Sequence, residues 1–431
     1  MPGNWASSSA CRAACCAAAS LASSWTRPVR LRASSAWALA ALLAAPSSAT
    51  QALSLELKPS VHAEVRYDDN IFRASETPSA GAATKVGDAL SQYGAGARLT
   101  LRHSLQSLEL RGEFDEVDYR EQNQLDHERY RLAAEAKLAY GSDWRADLKA
   151  ERRRRLENFA YRDDTQAGFV RLDNASAELR YALTPRWSAS AKADRYASRA
   201  SLLSSRDYDL TETGVEAGGQ YRRDGYSSLG LYLRQVEGEF PSRVVVAGDG
   251  REKDYTQRSL ILRAGYTPSG LSDLAAQLGY TQRRHSQGDV EDFSGFTGRL
   301  AYSRRLSGRT RLKAEVYRDL FYVEEVNANY VENLGFSLTA DWRYSAKLAL
   351  AAALERVQSD YRGSSGIATA GEPRSDDLLS LSLGADYQPF YRFSILPEYR
   401  YERRGSNALN SDYSDSIVGV DFSYRYGAAW D

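Results

Sequence analysis

The chain has 431 residues, with 56 basic against 56 acidic side chains and a mean hydropathy of −0.52. Beyond the N-terminus there is no run of about 18 apolar residues, which excludes helical membrane spans; a barrel is not excluded, because only alternate residues of a barrel strand face lipid. The balanced charge offers nothing to nucleic acid, and 28 tyrosines with one methionine are unusual for a soluble enzyme of this size.

The N-terminus reads as a leader. Arg12, Arg27, Arg30 and Arg32 are its charged residues. Arg27, Arg30 and Arg32 precede the apolar stretch Ala36–Ala45, and small residues follow through Ser47, Ser48, Ala49 and Ala52. A basic region, a short apolar region and an A-x-A-like site make a secretory signal peptide, with cleavage expected after Ala49 or Ala52. The stretch before Trp25 is long for such a signal, as a misassigned start codon would make it. All three cysteines, Cys11, Cys15 and Cys16, lie in this leader, so the body can form neither disulfides nor thiolate metal sites. No Cys directly follows the apolar region, which argues against a lipoprotein anchor. The division is therefore a leader over 1–52 and one barrel over 53–431, with no separate soluble domain.

From there the body alternates with period two, the mark of a strand whose two faces meet different surroundings. Eighteen segments follow one another. They centre near Val65, Leu99, Leu110, Ala134, Leu148, Ala177, Ala191, Ala217, Leu231, Leu262, Leu278, Leu300, Ala314, Leu338, Leu350, Leu383, Ile395 and Val420. Three carry irregularities. Lys347 to Glu355 is alanine-rich and also reads as helical. Pro397 deletes a ladder hydrogen bond within its segment. The segment around Ala177 changes parity near Asn174, which suggests a bulge.

The connections alternate strictly between short and long. Short ones hold His103–Ser107, Gly141-Ser-Asp, Thr184-Pro185, Asp224-Gly225, Pro268-Ser-Gly270, Ser307-Gly308, Tyr344-Ser-Ala and Gln388-Pro389. Between them lie polar stretches such as Arg73–Leu90, Leu156–Gly168 and Gln358–Asp377. Short periplasmic turns, long external loops, an even strand number and both termini inside define an outer-membrane barrel. The expected fold is thus all-β, a transmembrane antiparallel up-and-down barrel of about 18 strands in a Gram-negative outer membrane. The apolar face supports this, with Leu, Val and Ala in mid-strand and Tyr130, Tyr140, Trp144, Trp187 and Trp342 near the ends, as interfacial girdles require. A soluble sandwich would need neither the loop alternation nor the signal peptide.

The opposite face then lines the lumen. Arg98, Arg102, Glu109, Arg111, Glu113, Lys192, Asp194, Glu216, Arg222, Arg263, Arg299, Asp341, Glu398, Arg400 and Glu402 are expected to point inward. Eighteen strands spaced about 4.8 Å and tilted about 40° enclose a backbone diameter of roughly 35 Å. Such charges mostly pair and brace the wall, and a minority tune selectivity.

Catalytic signals are weak. The histidines are His62, His103, His127 and His285. Asp126 and His127 are adjacent, which on an extended chain points them opposite ways and makes a poor orienting pair. No HExxH, Walker or GxGxxG context appears, so the expectation is no enzyme, no cofactor and no metal. Glu151–Arg155 closes the fifth strand at its outer end and reads as a solvated rim meeting lipopolysaccharide phosphates.

The first strand ends in Tyr67-Asp-Asp-Asn-Ile-Phe-Arg73. Tyr67, Asp69, Asn70, Ile71, Phe72 and Arg73 resemble the first-strand ending of the β-barrel porins encoded with exopolysaccharide and capsule biosynthesis genes. Asp68, Asp69 and Asn70 also suit a strand-to-loop corner, since Asx side chains bond nearby backbone N–H groups. The resemblance implies export of an exopolysaccharide or capsular polysaccharide, with periplasmic export proteins as partners. Outer-membrane lipids, lipopolysaccharide and the barrel-assembly machinery are the other expected partners. A general or solute-selective porin and a structural or adhesive barrel are the alternatives.

Overall fold

The computed structural model describes residues 53–426 apart from 81, 163, 244–252, 287–291, 322–327 and 363–372; the leader therefore lies outside the described residues. Eighteen strands follow in chain order. They are β1 (Ser54–Asp68), β2 (Asp88–His103), β3 (Gln106–Tyr119), β4 (His127–Tyr140), β5 (Trp144–Leu156) and β6 (Phe169–Ala182). Next come β7 (Trp187–Ala200), β8 (Leu210–Arg222), β9 (Ser227–Glu239), β10 (Asp254–Ser269), β11 (Ser272–His285) and β12 (Phe293–Arg305). The last are β13 (Thr310–Phe321), β14 (Tyr330–Arg343), β15 (Leu348–Arg362), β16 (Ser375–Phe390), β17 (Phe393–Ser406) and β18 (Tyr413–Arg425).

Each strand pairs antiparallel with its sequence neighbours, and β1 also pairs with β18, so the sheet closes on itself. Closure leaves no open edge, the condition for a sheet in lipid. Among the described residues β1 holds β2 through fifteen residue pairs and β18 through nine, Ser60 to Asp68. Eight links are turns of two to four residues, and the other nine run from six to nineteen. By that asymmetry the turns are periplasmic and the long links external. The turn before β9 shows the local chemistry: Asp224 Oδ1 accepts from Tyr226 N at 2.8 Å and Ser227 N at 2.7 Å. Those two backbone donors favour the carboxylate and hold the Asp224 pKa below its ordinary value.

The two faces sort as alternation requires. Val65, Leu110, Leu179, Leu231, Leu278, Leu300, Leu338 and Leu383 stand exposed on the outside, as lipid-facing residues must. Trp144 pairs with Tyr181 and Trp187 with Tyr221, with ring centroids 4.4 and 4.9 Å apart, at the turn end of the wall. Among the described residues the interior has no continuous apolar core. Its apolar clusters gather under the external loops, the largest around Ile71, Phe72, Leu90, Val117, Leu125 and Phe159.

The three irregular segments resolve differently. The alanine-rich stretch is strand from Leu348 onward: Leu350, Ala352 and Leu354 face out, and Ala349, Ala351 and Ala353 face in. Pro397 pairs with Val420 of β18 but has no ladder partner in β16, as its missing N–H dictates. The expected bulge near Asn174 is absent, because β6 keeps unbroken register with both β5 and β7. The parity changes because the surroundings do. Above the lipid, Val170 and Leu172 face inward and are buried under loops, while Arg171 and Asp173 face the water outside. Register does shift between Tyr266 and Ser269 and between Tyr387 and Phe390.

Candidate functional site

The lumenal wall is a lattice of opposite charges. Every residue expected to point inward takes the lumenal parity of its strand. Some meet directly. Arg263 clasps Glu216 through both guanidinium nitrogens at 2.6 and 2.8 Å. Asp194 takes the same fork from Arg234 at 2.7 and 2.8 Å, with Lys192 at 3.8 Å. Glu109 lies between Arg111 and Arg98, Arg299 pairs with Glu315, and Arg400 pairs with Glu402. Arg102, Glu113, Arg222, Asp341 and Glu398 share the face without joining these pairs.

Within the pairs the charges are unequally accessible. Arg131 is 54% exposed beside Glu151 at 23%, and Arg299 is 50% exposed beside Glu315 at 9%. In these pairs, and where Glu109 meets Arg98 and Arg111 or Glu216 meets Arg263, the carboxylate lies against the wall while the cation reaches into the lumen; in Asp194–Arg234 and Glu402–Arg400 the two partners are about equally covered. A solute therefore meets guanidinium and ammonium groups first.

One pair was not singled out from the sequence. His62 Nε2 lies 2.7 Å from Asp115 Oδ1, and Arg129 Nε donates to Asp115 Oδ2 at 2.5 Å. The two residues sit two strands apart in one row, with Gly94 between them. A Cβ at Gly94 would come within 2.2 Å of Asp115 Oδ1 and 2.7 Å of His62 Cε1, so glycine is what lets them touch. The other histidines are bound elsewhere. His127 Nδ1 lies 2.6 Å from Leu125 O, whereas Asp126 accepts from Tyr119 N, so the adjacent Asp and His do not pair. His285 stacks on Tyr330, with ring centroids 6.0 Å apart. His103 ends β2 at a periplasmic turn.

The external mouth is narrowed by loops that fold inward. The segment Tyr67–Arg73 makes the corner that turns the first of them, residues 69–87. Tyr67 still faces lipid, but Asp68, Asn70, Ile71, Phe72 and Arg73 are all buried. Asn70 fixes the turn. Its Nδ2 donates to Ala74 O and to Ser414 O, and its Oδ1 accepts from Ala74 N, all at 2.9 Å. Arg73 adopts a positive φ of 54° and reaches back to Asp68 at 3.1 Å and Asp415 at 3.0 Å, while Lys85 reaches Asp69 at 3.1 Å. Two cations thus offset the three carboxylates gathered here. Asp69 N donates to Ser416 O, and Ser416 N donates to Asp69 Oδ1 at 2.7 Å, tying the corner to β18.

The loop over 157–168 folds in beside the first loop and packs against it. Asn158 caps its short 3₁₀ turn by accepting from Ala160 N. The Phe159 ring meets Phe72 edge to face, with centroids 5.1 Å apart. Tyr161 extends to the external end of β17, six strands round the wall from β5, where the Arg404 guanidinium lies 5.4 Å from its ring centroid and 4.8 Å from that of Tyr413. Loops rooted on β1–β2 and β5–β6 therefore span toward β17. Sequence periodicity stops at strand ends and carries no signal for this.

No protein-family model and no curated protein sequence matches the chain. Solved structures share its fold. OccK2 (OpdF) of Pseudomonas aeruginosa is 15% identical, with a TM-score of 0.50 over 86% of this chain and 99% of that one. The outer membrane protein OpdK of the same organism is 13% identical, with a TM-score of 0.49 over 86% and 99%. OccAB3 of Acinetobacter baumannii is 8% identical, with a TM-score of 0.48 over 86% and 100%. An even-stranded closed barrel with an apolar exterior and a charged interior has one natural setting. The chain is a Gram-negative outer-membrane β-barrel. Its lumen and loop-narrowed mouth form the candidate permeation path of that barrel.

Proposed function

We propose that this barrel is a passive, solute-selective channel that favours small anions. The carrying observation is the unequal exposure within the lumenal ion pairs, which leaves Arg131 and Arg299 facing the path and holds Glu151 and Glu315 against the wall. Pores select by the charge that lines them, and conduction needs binding that is favourable but weak. Cations already paired with a wall carboxylate supply such weak attraction. The inward loops add a size limit at the mouth. Reconstitution in a planar bilayer under a salt gradient tests the reading. The reversal potential should show anion preference, and Arg98→Glu with Arg111→Glu and Arg131→Glu should move it toward cations. A cation-selective native barrel, or no shift in the variant, would refute it.

Export of a secreted or capsular polysaccharide is the second reading, favoured by the resemblance of Tyr67–Arg73 to the exopolysaccharide-linked porins. Its partners would be periplasmic export proteins. The inward loops reduce the room for a polymer strand, which is why it ranks second. Under this reading a deletion strain loses surface polymer while solute uptake is unchanged.

A further inference from the structure

On the outer surface, the external ends of β5, β6 and β7 carry an unusual row. Arg154 pairs in register with Arg171, and Arg171 with Arg199, all with lipid-facing parity. Like charges directly opposite one another destabilise a sheet, so such a row calls for a counter-anion. Arg152 and Arg195 extend it toward the lipid. Asp173 stands among these five guanidinium groups, 2.5 Å from Arg152 and 3.3 Å from Arg171. The row is also pre-set. Arg154 lies 4.1 Å over the Phe169 ring and donates to Glu128 O, while Arg199 donates to Leu210 O and Thr211 Oγ1. Elsewhere near this height the wall shows aromatic rings, such as Phe114 and Tyr130 on one side and Tyr280 and Phe296 on the other. Acidic residues flank the arginines, Glu116 and Glu128 before them and Glu237 and Glu239 after.

Below the arginines the surface is made of small side chains. A shallow open concavity of about 910 Å³ lies there, lined among others by Ala146, Leu148, Ala177, Ala191, Ala193 and Ala217. A basic row at the external lipid boundary above an alanine-lined hollow matches a phosphorylated, multiply acylated glycolipid. Guanidinium forks suit phosphate geometry, and acyl chains lie over small residues that let them approach the wall. We propose that this face is a docking site for outer-leaflet lipid A, with its phosphates on Arg154, Arg171 and Arg199 and its chains over the alanines.

The test mixes purified barrel in detergent micelles with lipid A, either phosphorylated or enzymatically dephosphorylated, and measures bound lipid by native mass spectrometry. The native barrel should bind the phosphorylated form at least about tenfold more tightly, as charge-assisted forks imply. Arg154→Gln with Arg171→Gln and Arg199→Gln should erase that preference. Arg356→Gln with Arg403→Gln, which alters outward arginines on the opposite wall, should keep it. Equal binding of both forms by the native barrel would overturn the proposal without reliance on any variant. So would a preference that survives in the triple variant, or equal displacement by cardiolipin, which would make the site one for any anionic phospholipid.

Discussion

Replacing Asn70 by alanine isolates the corner that holds the first external loop. The side chain is fully buried and makes three hydrogen bonds of 2.9 Å, to the N–H and C=O of Ala74 and the C=O of Ser414. Truncation leaves the N–H and C=O of Ala74 unpaired at about 1–3 kcal/mol each, and removes the nearer donor from Ser414 O, which keeps Lys85 Nζ at 3.5 Å. A local loss of roughly 4 kcal/mol follows, which raises the open population of the loop by about a thousandfold. The barrel itself should stand, since its ladders do not pass through Asn70. Amide hydrogen exchange on the reconstituted protein reads this directly. Exchange over 71–75 should accelerate by at least about a hundredfold at pH 7, with the strand amides unchanged. Asn70→Asp keeps the acceptor for Ala74 N but sets a buried carboxylate oxygen against the C=O of Ala74 and of Ser414, so it should do no better than alanine. Protection within about twofold of the native protein, well below the tenfold that about 1.4 kcal/mol would bring, would show that the side chain does not hold the corner.

Two further outcomes test the two faces and the two ends. Leu338→Arg puts a charge on a lipid-facing position between Ala314 and Leu354 and should cost about 2–4 kcal/mol in denaturant titrations of vesicle-folded barrel; a neutral effect would mean that the faces are reversed. An epitope inserted at 78–80 should be labelled on intact cells, whereas one between Asp224 and Gly225 should be reached only after the outer membrane is opened. The reverse pattern would invert the barrel.

The strands were legible because each face of a membrane barrel meets one environment along its length. All eighteen segment centres fall inside observed strands, and even the alanine-rich stretch near Leu350 is strand, because its neighbours pair with it on both sides. The parity reading failed only near Asn174, where the wall leaves the lipid and the two environments change places. Contacts that depend on register were harder to see. His62 and Asp115 both had inward parity in the sequence, but their meeting depends on Gly94 lying between them, which only the pairing of β1 with β2 and β3 reveals. Of the loops, the corner at Asp68–Asn70 was legible from its Asx residues, but the inward course beyond it was not. The contact of Phe72 with Phe159 joins two irregular segments far apart in the chain, and no periodicity marks either end of it.

The seam between β1 and β18 bears on how the molecule is made. These strands are the most distant in the chain, so joining them closes the largest possible loop and is the entropically dearest step of assembly. Nine residue pairs secure it among the described residues, and the Tyr67–Arg73 corner adds fastenings at its external end through Asp69, Asn70 and Arg73, which reach Ser416, Ser414 and Asp415. The segment thus works as a clasp between the first strand and the last. A clasp of this kind is selected by the need to finish a ring, whatever passes through it, so barrels with different cargo have the same reason to carry one.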